Sequence, residues 1–103
     1  RSRGLLKTTM HVGSVDVSGN PRVTFPFAWD VTRTGTGSYK ITHNLGHTNY
    51  VVVTTPTDVV ASSDTVIANI TTKTATYVTI TYSSAAGSPI DQYFDFILVE
   101  TTI

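Results

Sequence analysis

Gln92-Tyr93-Phe94-Asp95-Phe96-Ile97-Leu98-Val99-Glu100-Thr101 is the stretch whose reading decides the fold. Successive side chains of a strand point to opposite faces. Phe94, Phe96 and Leu98 therefore share one face, and Ile97 and Val99 share the other with Tyr93 and Asp95. One apolar face suffices to seal a core. Two are hard to cover from within a chain of 103 residues. A second copy of the same chain is the most economical cover, and loops packed on both sides are the alternative.

The rest of the chain repeats the alternation. In Tyr77 to Tyr82, Val78, Ile80 and Tyr82 point in while Tyr77, Thr79 and Thr81 point out. Val66, Ala68 and Ile70 oppose Ile67 and Asn69, and Tyr39, Ile41 and His43 share a face until Asn44-Leu45-Gly46 turns the chain. Leu6, Met10 and Val12 fall in one phase of the opening segment. Val23, Phe25, Phe27 and Trp29 occupy every second position after the Ser18-Gly19-Asn20-Pro21 turn, which predicts a hairpin with Val15 and Val17. Pro26 lacks a ladder donor and places that strand at an edge, or ends it. The unbroken run Tyr50-Val51-Val52-Val53 predicts a strand covered on both faces.

Composition agrees. Thr, Val and Ile supply 40 of the 103 residues, against four Leu, one Glu and one Met. Strand formers dominate and helix formers are nearly missing. The expectation is an all-β chain: a single antiparallel β-sandwich of seven to eight strands, Ig-like or jelly-roll in strand order.

Seven basic and seven acidic residues cancel, and charged residues are only 14 % of the chain. Disorder needs the opposite balance, and a nucleic-acid binder needs a basic patch. No apolar run approaches the roughly 20 residues of a membrane-spanning helix. So weakly charged a surface is poorly protected against self-association. There is no cysteine, which points to folding in a reducing cytosol or to oligomerisation in place of disulfides. Arg1 in first place reads as a cut or processed start.

Motifs for chemistry are sparse. There is no cysteine nucleophile and no G-x-S-x-G, so catalysis is not expected. Asp91 and Asp95 share a strand face, but roughly 13 Å of strand rise separates them, too far for a paired acid and nucleophile. His43 and His47 span a turn and are weak metal candidates; the plainer reading is that His43 ends a strand and bonds backbone in the turn. Nothing calls for a cofactor. Tyr77 and Tyr93 fall out of phase with a core face and would suit a sugar-binding surface or an interface.

Gly37-Ser38-Tyr39-Lys40-Ile41-Thr42-His43-Asn44-Leu45-Gly46-His47-Thr48-Asn49-Tyr50-Val51-Val52 resembles the pattern G-x-Y-x-[IV]-T-H-N-L-G-x-x-x-Y-x-V of the distal C-terminal domains of bacteriophage tail fibres and related receptor-binding proteins. The earlier Val15-Asp16-Val17-Ser18-Gly19-Asn20-Pro21-Arg22-Val23-Thr24-Phe25-Pro26 is similar to the strand that often precedes it, and Tyr93-Phe94-Asp95-Phe96-Ile97 to the aromatic final strand. The resemblance implies a non-enzymatic homotrimer at a fibre tip, folded in bacterial cytoplasm. It would attach the virion to a host-surface polysaccharide or envelope protein. Residues 1–12 would then form an N-terminal strand and the junction to an upstream shaft, and residues 13–103 the sandwich. His43, Asn44 and Gly46 match the motif as turn architecture. Loop position and exposure nominate Asp58, Ser62, Ser63, Asp64, Tyr77 and Ser88 for receptor contact, and Val59, Val60, Ile97 and Val99 for the trimer interface. The alternatives are a carbohydrate-binding module of a depolymerase or glycosidase, or a purely structural trimerisation or decoration domain.

Overall fold

The computed structural model describes residues 7–22, 29–57 and 66–102. They form seven strands and no helix: β1 (Lys7–Val15), β2 (Asp30–Gly35), β3 (Ser38–Thr42), β4 (Tyr50–Thr57), β5 (Val66–Lys73), β6 (Tyr77–Ser84) and β7 (Tyr93–Thr102). All pairings are antiparallel. One sheet has the order β1-β7-β4 and the other β2-β3-β6-β5. Their inner faces share one core, so the architecture is sandwich-like.

The alternation read from sequence sets the faces. Val78, Ile80 and Tyr82 of β6, Tyr39 and Ile41 of β3, and Phe94, Phe96 and Leu98 of β7 are buried together. Rings from the two sheets interlock there: Phe94 lies 5.0 Å from both Tyr39 and Tyr82. Each buried tyrosine hydroxyl finds a partner, as burial of a polar group demands. Tyr39 donates to Val17 O at 2.8 Å, Tyr50 donates to Thr74 O at 2.7 Å, and Tyr82 bonds Thr54 Oγ1.

Turn chemistry closes the loops. Asp16 accepts the N–H groups of Ser18 and Asn20, both at 2.9 Å, in the turn foreseen at Ser18–Pro21. Beyond it the described chain contributes a single bridge, Val15 to Pro21; of the foreseen strand Val23–Trp29, residues 23–28 lie outside the described residues and Trp29 is in no strand. Thr74 Oγ1 accepts from Tyr77 N at 3.0 Å and tightens the β5–β6 connection.

One expectation is corrected. The Tyr50–Val53 run is not covered on both faces: Tyr50 is buried, but Val51 and Val53 are 59 % and 62 % exposed. The reason lies in the layers. β4 is the edge of an outer three-stranded sheet, with a core on one side and no described layer on the other.

Candidate functional site

Register assembles the outer face of β1-β7-β4 in rows. Met10, Val99 and Val51 stand side by side, then Val12, Ile97 and Val53, then Ser14, Asp95 and Thr55. Two adjacent rows are wholly apolar. Met10 is 63 % exposed and Val12 55 %, while Val99 is half-buried. Two shallow grooves flank β7 on this face. One of about 250 Å³ is lined by Val53, Thr55, Asp95 and Ile97, and one of about 370 Å³ by Val12, Gly13, Ser14 and Asp95. Asp95, the one charge in these rows, accepts a hydrogen bond from Ser14 Oγ at 2.5 Å. Arg22 caps the end of the face, its guanidinium 4.8 Å from the Tyr93 ring.

A second cluster gathers at one end of the sandwich. It holds all three histidines of the chain, its single glutamate and its single tryptophan. His11 Nε2 lies 2.7 Å from Glu100 Oε2, and His47 Nε2 lies 2.9 Å from Glu100 Oε1. An ionised carboxylate only accepts, so both rings donate through Nε2. Burial pushes the Glu100 carboxyl up, but the two imidazole hydrogen bonds outweigh it and hold it below the usual carboxylate value. Trp29 packs 4.7 Å from His11 and 5.9 Å from His43.

His43 is 2 % exposed, with its ring 4.7 Å from Tyr50. Its Nδ1 accepts the N–H of Leu45 at 3.1 Å, and His47 Nδ1 accepts the N–H of Asn49 at 3.0 Å. Two residues apart each time, the rings act as the side chain of an Asx turn does. Burial lowers the His43 pKa, the charged form being the one that desolvation penalises. A metal-ligating imidazole donates its other ring N–H to a neighbour. His47 has such a donor in Nε2–H on Glu100, but its Nδ1 lone pair is taken by Asn49 N–H, as that of His43 is by Leu45 N–H. Among the described residues no group of three His, Cys, Asp or Glu side chains could hold a metal.

The remaining nominated residues scatter. Tyr77 is half-buried at the start of β6 beneath the Lys40 ammonium, 4.4 Å from its ring, and Ser88 is exposed in the β6–β7 loop. Ile97 and Val99 lie together on the apolar outer face. Asp58, Val59, Val60, Ser62, Ser63 and Asp64 lie outside the described residues. Asp91 and Asp95 serve separate partners, Arg33 and Ser14. Sequence reasoning passed over His11 and gave Glu100 no role. Their partnership spans 89 positions, and the one available signal was scarcity: one Glu, three His and one Trp in the whole chain.

No protein-family model matches this chain, and comparison with curated proteins and with solved structures gave no match.

Proposed function

We propose that this chain is a non-enzymatic attachment domain of the kind carried at the tips of bacteriophage tail fibres. In this reading it assembles as a homotrimer on the virion and binds polysaccharide or an envelope protein on the host surface. Within the sandwich class, the reading places it among the Ig-like or jelly-roll domains.

The observation that supports assembly is the pair of apolar rows Met10-Val99-Val51 and Val12-Ile97-Val53. From their exposures they present roughly 500 Å² of contiguous apolar surface, at the upper end of what a lone monomer carries. Turned toward a three-fold axis, this face would be covered by the two neighbouring copies, as an exposed apolar patch of this size calls for. A charge-poor chain without disulfides gains stability from that burial. Because β1, β7 and β4 carry the face, the described loops at the ends of the sandwich stay available for a receptor.

Light scattering on the purified domain at micromolar concentration tests assembly. A mass three times 11.1 kDa is expected, and a clean monomer overturns the trimer. Attachment is tested by competition. The trimeric domain should block adsorption of the parent particle to its host, and failure to do so overturns attachment in favour of a structural role.

A further inference from the structure

We propose that the turn between β3 and β4, residues 43–49, is an acid-released latch that closes this end of the sandwich only while its imidazoles are neutral. The proposal does not depend on the assembly reading. It begins with how the turn is tied down. His43 N and Asn44 N both donate to Thr76 O, at 2.9 and 3.0 Å, and Gly46 N donates to Ala75 O at 2.8 Å. Thr101 N donates to Asn49 O at 2.9 Å, which fastens the far side of the turn to β7. The turn thus bridges the two sheets.

Inside the turn, its shape depends on two ring nitrogens. Leu45 N–H and Asn49 N–H are satisfied by His43 Nδ1 and His47 Nδ1. A neutral imidazole has one acceptor nitrogen, and an imidazolium has none. A proton arriving at either Nδ1 therefore sets N–H against N–H, deletes the turn's own bond and leaves a backbone donor unpaired. Two such bonds lie within seven residues, so the loss is shared by one short segment.

The surroundings oppose added positive charge at His43, whereas His47 Nε2 already faces the Glu100 carboxylate. From β1, His11 faces the cluster; from β7, Glu100; from the segment before β2, the uncharged Trp29; from β4, Tyr50. Lys73 at the end of β5 holds its ammonium 4.8 Å from the Tyr50 ring, which itself abuts His43. Asp30 pairs with Thr42 and so falls on the opposite face of its sheet from Ile41 and the core. Among the described residues Glu100 is thus the one negative group in the cluster, already committed to two rings. His43 Nε2 is buried with no hydrogen-bond partner among the described residues, so a cation formed there has no anion beside it.

The test follows ring nitrogens and turn amides in the same sample by ¹⁵N NMR and hydrogen exchange, from about pH 7.5 to about pH 5.5, the range in which imidazoles titrate. The neutral pattern with the proton on Nε2 is expected for His43 and His47 at the upper end. On acidification, the Leu45 and Asn49 amides should each lose about tenfold in protection, corrected for intrinsic exchange, where the ring two residues before gains its proton, with Ile80 unchanged. The double variant His43→Asn/His47→Asn keeps an acceptor two residues before each amide and takes no proton. Its protection should stay flat over the same range. Rings that stay neutral throughout, rings that protonate without any change at Leu45 and Asn49, or a folded double variant that loses protection as the parent does would each overturn the latch. If the double variant does not fold, the parent protein decides alone.

Discussion

The Arg33 guanidinium and the Asp91 carboxylate, 58 positions apart, meet in an ion pair of 2.9 Å reinforced by a second contact of 3.0 Å from Nε. The same carboxylate accepts Gly37 N at 2.7 Å, so one side chain holds the β2–β3 turn against the segment that enters β7. The hydrogen bond from Arg33 outweighs burial, and with Gly37 N it holds the Asp91 carboxyl below its ordinary value of 3.8. A depressed carboxylate contributes stability that is present above the ordinary value and lost as pH falls through the lower, folded one. Asp91→Ala should cost about 1–2 kcal/mol in urea unfolding at neutral pH, chiefly by leaving Gly37 N–H without its acceptor. That deficit should shrink below pH 3.8.

Gly37 and Gly87 form a controlled pair. Both have positive φ, +71° and +91°. A Cβ on Gly37 would lie 2.5 Å from Tyr82 O and 2.9 Å from both Ile90 N and Ile90 O, all backbone atoms that cannot step aside. A Cβ on Gly87 meets nothing within 4 Å. Gly87→Ala should therefore cost only the left-handed backbone penalty, about 1–2 kcal/mol. Gly37→Ala should cost about 3 kcal/mol or more, with thermal unfolding as the readout.

On the outer face, Val53→Asp should separate assembly from folding. Val53 is 62 % exposed, so the change should leave the circular dichroism spectrum intact and cost under about 1 kcal/mol in the monomer. Placed beside Ile97, the new carboxylate should abolish self-association in light scattering. Val78→Asp, fully buried, should instead prevent folding.

Acid should weaken the fold in two separate windows. Burial sets the folded His43 pKa below 6.5, so the unfolded chain binds the proton first. Stability then declines as pH falls below 6.5 towards the folded value. Glu100, depressed despite its burial, adds a second decline below pH 4.5. Urea midpoints measured across this range should show both steps. His43→Asn should remove the upper one and Glu100→Gln the lower.

The two faces of β7 were legible because both fall within one strand, where period two assigns every side chain. The same rule placed Val78, Ile80 and Tyr82 inside without any knowledge of their partners. It misjudged Val51 and Val53 for a physical reason: a run of valines reports that a face is apolar but not which layer covers it. The Glu100 cluster was illegible for another. Antiparallel pairing of β1 with β7 sets Thr9 opposite Glu100 and brings His11 alongside, and register across 89 positions leaves no local trace. The Nδ1 contacts of His43 and His47 were half visible, since the turn between them was plain while the roles of the ring nitrogens were not.

The β1–β7 ladder also has a mechanical consequence. Lys7 stands opposite Thr102, and nine residue pairs run from there to Val15 and Phe94. Tension applied between Lys7 and Thr102 loads the ladder one rung at a time and peels β1 away at low force. Tension applied between Lys7 and Phe94 pulls along the strands, so all nine pairs resist together in shear. How strongly the domain holds under load therefore depends on where it is gripped.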